Sequence, residues 1–344
     1  EGSRKGKHYL SERTADRLLR HLEHLALPGR EELNVTFYGG EPLLSFERML
    51  ALARRMRALC DAGGIPFRFS LITNGTLLTR ARVARLRPLG LKSASVTLDG
   101  PRETHDAARP FRSGAGSFDL IVRNLREVAD LVDLQIGGNF TRENHRGFPR
   151  LLDDLAAAGL TPGAISQVRF DPVIQERAGI AHADFHGGCT TLDEPWHCEA
   201  SVWLREEILR RGYRTGRIMP ARCMMDVPGH PVVNHDGVLY PCPGLIGREE
   251  FRMGTIDDVP AQTRSPGTDA RSAGDARPRS LPAPRAWHNE TCLACAYLPL
   301  CLGGCRYMSL LRTGSADGVD CRKAYFDAVL EQLVLQDIRY GVQP

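Results

Sequence analysis

The order of strand-like and helix-like stretches is what most constrains this chain. Strand-like runs begin at Asn34 (NVTFYGG), Phe67 (FRFSLITNG), Lys92 (KSASVTLDG), Asp133 (DLQIGGNF) and Ala164 (AISQVRFDPV). They recur about every 25–40 residues, the length of a βα unit. Helical patterns fill the gaps. SFERMLALARRMRALCDAGG offers Ser45 as a cap and ends on glycine, HRGFPRLLDDLAAAGL stops at Gly159, and GSFDLIVRNLREVADL is a third. Strands alternating with helices at this spacing imply a parallel sheet with helices outside it, open or closed as a barrel.

Several strands end in polar or glycine-rich turns: Gly39-Gly40-Glu41, Thr73-Asn74-Gly75, Asp99-Gly100 and Asn139. Each alone is ordinary turn chemistry. In a barrel these ends share one face, where ligands bind. The stretch VTFYGGEPLL is the most pointed. Two glycines let the backbone turn sharply or let something approach it, and Pro42 ends the ladder because it has no N–H. A tight strand-to-helix turn is the alternative for this stretch taken alone.

After about residue 175 the repeat fades. LDEPWHCEASVWLREEILRRGY reads as one helix, and 261–287, rich in Pro, Ala, Arg and Ser, reads as a mobile insertion. Forty-five Lys and Arg against 41 Asp and Glu leave a net charge of +4, too little to imply nucleic acid. Arg54, Arg55 and Arg57 read as a solvated helix face. There is no apolar run long enough for a membrane helix and no signal-peptide pattern at the start. The expectation is a cytoplasmic protein that engages neither membrane nor nucleic acid.

Ten cysteines are many for such a chain. Cys60, Cys189 and Cys198 are scattered. The other seven fall in the last third, as Cys223-x13-Gly237-x4-Cys242 and then Cys292-x2-Cys295-x5-Cys301-x3-Cys305-x15-Cys321. With ample core and no export signal, metal ligation is a better expectation than disulfides. An Asp-Gly hairpin at Asp236-Gly237 would return Cys242 toward Cys223, and Gly303-Gly304 permits a tight turn before Cys305. Seven thiolates exceed one tetrahedral zinc and fall one short of two four-thiolate sites. One complete iron–sulfur cluster and one with an open or borrowed ligand would use all seven, and two structural zincs are the alternative. Cys60 reads as buried packing. Cys189 or Cys198 could be a borrowed ligand, and His186, His197 and His230 read as surface or core.

Taken together these residues resemble a family. FYGGEPLL is similar to the GGEP motif of radical S-adenosylmethionine (SAM) enzymes. TLDGPRETHDAARPFRSGAGSFDLIVRNL resembles the fourth-strand segment of their peptide-modifying branch, and the seven-cysteine pattern resembles a SPASM domain. The resemblance implies a partial (β/α)6 TIM-like barrel, here lacking its first βα unit, followed by a small cysteine-rich SPASM domain. The corresponding division is 1–175 for the barrel, 176–222 for a bridging helical region and 223–344 for the SPASM domain.

By the same resemblance Gly39, Gly40, Glu41 and Pro42 would hold the methionyl end of SAM, with Gly39 and Gly40 offering backbone to its ammonium. Thr73, Asn74, Thr97, Asp99 and Asn139 would line the rest of the pocket. Cys223, Cys242 and Cys305 would hold one auxiliary [4Fe-4S] cluster, and Cys292, Cys295, Cys301 and Cys321 a second. The family's reducing cluster sits on C-x3-C-x2-C, a triplet missing from this sequence, so a third cluster is expected on a segment upstream of Glu1. The chain as given is then expected to be inactive as a fragment. The activity implied is hydrogen abstraction by a 5′-deoxyadenosyl radical from a ribosomally made precursor peptide, giving a crosslink such as a thioether. An electron donor such as flavodoxin or ferredoxin would serve it.

Sulfatase-maturing relatives carry an Asp after the cysteine matching Cys242. Pro243 stands there instead, which argues against formylglycine chemistry. Glu194-Pro195-Trp196 and YPCPGLIG are most similar to peptide maturases, of the geopeptide type. Asp226 reads as a turn residue rather than a base. The alternatives are a non-catalytic metal-binding module that recognises a peptide, or another SPASM enzyme such as a sulfatase-maturase relative. The sequence singles out no catalytic side chain.

Overall fold

The computed structural model describes residues 8–27, 29–174, 188–189, 191–220, 222–227, 229–258 and 285–342. The chain divides into two compact units. One is Glu1–Leu33, Ala58–Ile65 and Pro220–Cys321, and the other is Asn34–Arg57, Pro66–Met219 and Arg322–Pro344.

The second unit is built on a five-stranded sheet of β1 (Leu33–Phe37), β2 (Phe67–Thr73), β3 (Leu91–Thr97), β4 (Asp133–Phe140) and β5 (Ile165–Pro172), in that spatial order. Strands β2 to β5 run parallel, and the register sets Thr73 beside Val96, Thr97 beside Gly137 and Asn139 beside Asp171. Strand order that follows sequence order is what successive right-handed βα crossovers produce; this is the parallel sheet that the strand spacing predicts and the partial TIM-like barrel that the family resemblance implies. The five expected strands are all present.

The crossovers include helices α2 (Phe46–Ala62), α3 (Arg80–Leu86), α4 (Arg102–Ala108), α5 (Phe118–Val128) and α6 (Phe148–Ala157). Ser45 does not cap α2 as its sequence suggests. It ends a 3-10 turn, Pro42–Ser45, whose cap is Glu41. Alternate residues of β2 (Phe67, Phe69, Leu71) are buried, and Ile121, Leu125 and Phe148 on the helices are buried as well. Each such side chain contributes about 1.5–3 kcal/mol on leaving water. Helix α7 (Pro195–Arg210) packs against the long C-terminal helix α11 (Lys323–Tyr340). Buried Arg205 on α7 joins them, donating to Gln336 Oε1 at 3.0 Å and to Asp337. Sequence-distant α11 therefore belongs to the sheet's own unit.

The first unit contains α1 (Glu12–His21), capped by Ser11, and a small antiparallel sheet of β6 (Val232–Val233), β7 (Val238–Tyr240) and β8 (Gly254–Thr255). Arg17 of α1 donates to Asp257 Oδ1 at 2.9 Å, and His21 Nδ1 donates to the Ile256 carbonyl at 2.9 Å. Three short helices follow: α8 (Glu290–Leu293), α9 (Leu298–Cys301) and α10 (Arg306–Thr313). Of the expected insertion at 261–287, residues up to 284 lie outside the described residues, and Arg285–His288 form a 3-10 turn. Among the described residues no helix is long and apolar enough to cross a membrane.

Candidate functional site

The strand ends of the sheet are tied in pairs by carboxylates. Glu41, just past β1, accepts the Thr73 hydroxyl at 2.9 Å on Oε1, the Asn74 N–H at 2.7 Å on Oε2 and the Leu43 N–H at 3.0 Å. Its side chain therefore clamps the end of β1 to the end of β2. Asn74 Oδ1 in turn accepts from the Thr76 N–H and hydroxyl at 2.9 and 2.7 Å. From below, buried Asn124 on α5 donates Nδ2 to the carbonyls of Gly75 and Thr76, both at 2.9 Å. Asn124 carries no signal in the sequence, because an Asn inside an amphipathic helix looks like any polar position until its depth is known.

A second knot joins β3 to β4. Asp99 Oδ1 accepts the Asn139 N–H at 2.8 Å and Asn139 Nδ2 at 3.0 Å, while its Oδ2 accepts Arg109 Nε at 2.5 Å. Thr97 ends β3 half-buried, opposite Gly137. Thr73, Asn74, Thr97, Asp99 and Asn139 thus all sit at carboxyl ends of the sheet, with Glu41 drawn in beside Thr73. Glu41 itself acts on protein atoms: its carboxylate is engaged by three donors of the rim.

Gly39 and Gly40 differ from the other glycines nearby. A Cβ built on Gly75 would come within 2.7 Å of Val96 Cγ1, and one on Gly138 within 2.4 Å of the Leu98 carbonyl, so the fold itself demands glycine there. A Cβ on Gly39 or Gly40 would meet no atom within 4 Å. Gly40 also lies outside the left-handed region. Neither crowding nor backbone conformation explains a glycine at position 40, and open space in front of it leaves its backbone accessible to a ligand.

The cysteines of the first unit fall into two groups. The β6–β7 hairpin, with Val232 opposite Tyr240, returns the chain toward Cys242 as the Asp-Gly turn predicts. Cys223 and Cys305 share a hydrogen bond that favours the thiolate on Cys223 and the thiol on Cys305. Burial pushes the Cys242 thiol up, and Cys223 is its charged neighbour. Burial likewise raises Cys292, whose neighbours are Cys321, Cys301 and Cys295. Among the described residues no three His, Cys, Asp or Glu side chains converge as ligands of one metal ion. Thiolates of a four-iron cluster bind different irons, so they stand farther apart than ligands of one shared ion. All-sulfur donor sets of this kind suit an iron–sulfur cluster or zinc.

The turn before Cys305 is tight. Leu302, Gly303 and Gly304 have φ of 50°, 92° and 75° in succession, and a Cβ on Gly304 would lie 2.1 Å from the Asp320 carbonyl. Asp320, buried just before Cys321, receives the Cys305 N–H on Oδ2 at 3.1 Å and donates its own N–H to Gly303 at 3.1 Å. Asp226 is a structural anchor: its Oδ1 accepts Arg306 Nη1 at 2.9 Å. Cys189 and Cys198 lie in the other compact unit and are buried there. Burial pushes the Cys189 thiol up to about 12. Cys198 packs with Val329 and Leu333. Cys60 is fully buried and His197 is core, whereas His230 is exposed; His186 lies outside the described residues.

Comparison with known proteins agrees with this geometry. The Radical SAM superfamily model matches residues 2–155. An AdoMet-dependent heme synthase of Oleidesulfovibrio alaskensis is 26% identical over 82% of this chain and 72% of its own length. A serine-type anaerobic sulfatase-maturating enzyme of Klebsiella aerogenes is 24% identical over 80% of the chain and 67% of its own length. An Fe-coproporphyrin III synthase of Methanosarcina barkeri is 34% identical, but the matched region is 35% of this chain and 28% of that protein. Among solved structures, native anSMEcpe with bound AdoMet and Kp18Cys peptide superposes with a TM-score of 0.69 at 19% identity, covering 96% of this chain and 91% of that one. Streptococcus suis SuiB does so at 0.52 and 14% identity, covering 89% and 69%. Residues 2–155, which carry the glycine-bearing strand-end rim, match the Radical SAM superfamily model, and the chain shares the fold of the anSMEcpe structure.

Proposed function

We propose that this chain is a radical SAM/SPASM maturase that binds SAM at the strand ends and modifies a ribosomally made precursor peptide, forming a crosslink such as a thioether. The observation that carries the reading is the open backbone at Gly39-Gly40 beside strand ends already fixed by Glu41 and Asp99. When bound, SAM and an iron–sulfur cluster supply hydrogen abstraction by a 5′-deoxyadenosyl radical. The protein's part is to bind, orient and shelter. Gly39 and Gly40 present main-chain groups to the methionyl ammonium. Thr73, Asn74, Thr97, Asp99 and Asn139 form the surrounding polar wall, and Glu41 and Asn124 keep the loops that carry it in place. In the other unit, Cys223, Cys242 and Cys305 hold one auxiliary cluster, and Cys292, Cys295, Cys301 and Cys321 the other. Electrons come from a small donor such as flavodoxin or ferredoxin.

The peptide-bound state of the structurally similar anSMEcpe supports a peptide substrate. Pro243 after Cys242 favours chemistry other than that of the serine-type sulfatase maturases. A second reading, a tetrapyrrole-modifying enzyme, is favoured by the heme-synthase relative that aligns over most of the chain. The test is formation of 5′-deoxyadenosine by the full-length, cluster-loaded and reduced protein. Turnover coupled to mass loss in a cysteine-bearing precursor peptide supports the maturase. Turnover that responds to a porphyrin and not to peptide overturns it in favour of the second reading.

A further inference from the structure

Below the β3–β4 rim, Asp99, His105, Arg109 and Ser117 close a ring of hydrogen bonds. The Asp99 N–H donates to His105 Nδ1 at 3.2 Å, and His105 Nε2 lies 3.0 Å from Ser117 Oγ. Ser117 Oγ donates to the Arg109 carbonyl at 2.7 Å, and Arg109 Nε returns to Asp99 Oδ2 at 2.5 Å. A backbone N–H can only donate, so Nδ1 must present a lone pair and the imidazole proton must sit on Nε2. That proton goes to Ser117, whose own hydrogen is committed to the carbonyl. Each donor and acceptor in the ring thus has one role.

The site is closed to water. His105 is 0% exposed and Ser117 3%. Asp106 fixes the far side, its Oδ1 accepting the N–H of Ser117 at 2.7 Å and of Phe118 at 2.9 Å. Asp99 and Asp106 favour a charged imidazole and Arg109 opposes it, but burial prevails and keeps the histidine below its ordinary pKa. The Phe118 ring covers its remaining side, with centroids 5.9 Å apart.

We propose that His105 is a positioning residue of the SAM pocket: only as the neutral Nε2–H form does it hold Asp99 and Arg109 in the ligand-receiving arrangement. The proposal rests on the reading of this rim as the SAM site. A proton added to Nδ1 sets N–H against the Asp99 N–H. The Asp99 backbone must then shift, and with it the carboxylate that holds both Asn139 and Arg109. The Arg109 side chain is 39% exposed, and among the described residues its Nη groups make no hydrogen bond. They are donors for an anionic group of the ligand, such as a carboxylate.

The test is calorimetric SAM binding to the cluster-loaded full-length protein between about pH 7.5 and 5, in wild type and in His105→Asn. Asn keeps an acceptor for the Asp99 N–H and cannot take up a proton. Wild-type affinity is expected to fall up to about tenfold per pH unit below the His105 pKa, while the Asn variant stays flat. Nitrogen-15 NMR of histidine-labelled wild type, without SAM, should show Nδ1 bare and Nε2 protonated at neutral pH. A protonated Nδ1 overturns the proposal, as do parallel pH profiles in the two proteins. If His105→Asn fails to fold, a flat wild-type profile overturns it and a falling one with the bare-Nδ1 tautomer supports it. Wild type with the expected tautomer that binds no SAM at any pH overturns the pocket reading itself, and the proposed role with it.

Discussion

Arg306 and Asp226 form a buried ion pair, Nη1 to Oδ1 at 2.9 Å, with side chains 3% and 9% exposed. One follows Cys305 and the other lies three residues past Cys223, so the pair locks together the two chain segments whose thiols share a hydrogen bond. Removing one partner of a buried pair strands the other charge, at a cost of about 3–5 kcal/mol. Asp317, 2.7 Å from Nη2, remains to soften that loss. Asp226→Ala is therefore expected to destabilise the cysteine-bearing unit by about 3 kcal/mol. A denaturant midpoint equal to wild type would show that the pair contributes nothing.

Glu41 and Gly40 are adjacent, yet their variants should separate folding from binding. Glu41→Ala leaves the Asn74 N–H and the Thr73 hydroxyl without their acceptor, each such bond to a charged group contributing about 1.5–3 kcal/mol. It should lower both stability and SAM affinity. Gly40→Val enters open space at an ordinary backbone conformation, so its melting temperature should stay near wild type while SAM binding is lost. A Gly40→Val protein that binds SAM normally would remove the glycine pair from the pocket.

Iron content distinguishes the cysteines. Cys292→Ala is expected to lose about one four-iron cluster, because it removes one thiolate of a four-cysteine set. Cys189→Ala and Cys198→Ala should retain the full complement, since both thiols are buried. Iron and sulfide analysis of the three variants decides this, and a loss of cluster iron in either of the latter two would show a borrowed ligand.

His197 gives the fold a pH limit. Its Nδ1 donates to the Leu192 carbonyl at 2.7 Å, it is 3% exposed, and burial depresses its pKa. The unfolded chain, with an ordinary pKa of about 6.5, takes up the proton first. The His197 contribution is thus fully present above about pH 6.5 and declines as pH falls below it. Denaturant midpoints should drop over that range in wild type, and less steeply in His197→Asn.

Much of the sheet was legible because βα units repeat a period that side-chain burial enforces locally. The strand runs at Asn34, Phe67, Lys92, Asp133 and Ala164 needed no long-range information. The rim residues were legible as a set, since Gly39 to Pro42, Thr73 and Asp99 sit where parallel strands end. What Glu41 does was not. Its carboxylate could point to ligand or to protein, and only the geometry of β2 beside β1 turns it toward Thr73 and Asn74. His105, Asn124 and Arg306 were invisible for the same reason: a polar residue on a helix looks ordinary until its burial is known. Helix α11 joining α7 was beyond reach because the Arg205 and Asp337 that fasten it lie 132 residues apart.

The carboxylate clamps of the rim also bear on how quickly and how tightly a ligand can be taken up. Ordering a backbone residue costs about 1–2 kcal/mol of conformational entropy. With Glu41 holding the Asn74 turn and Asp99 holding Asn139, that entropy is surrendered when the chain folds and not when the ligand arrives. Less of the contact energy made at the rim is then lost to ordering the loops. Association needs no loop to find its place first, so capture should proceed in a single kinetic phase whose rate rises linearly with ligand concentration.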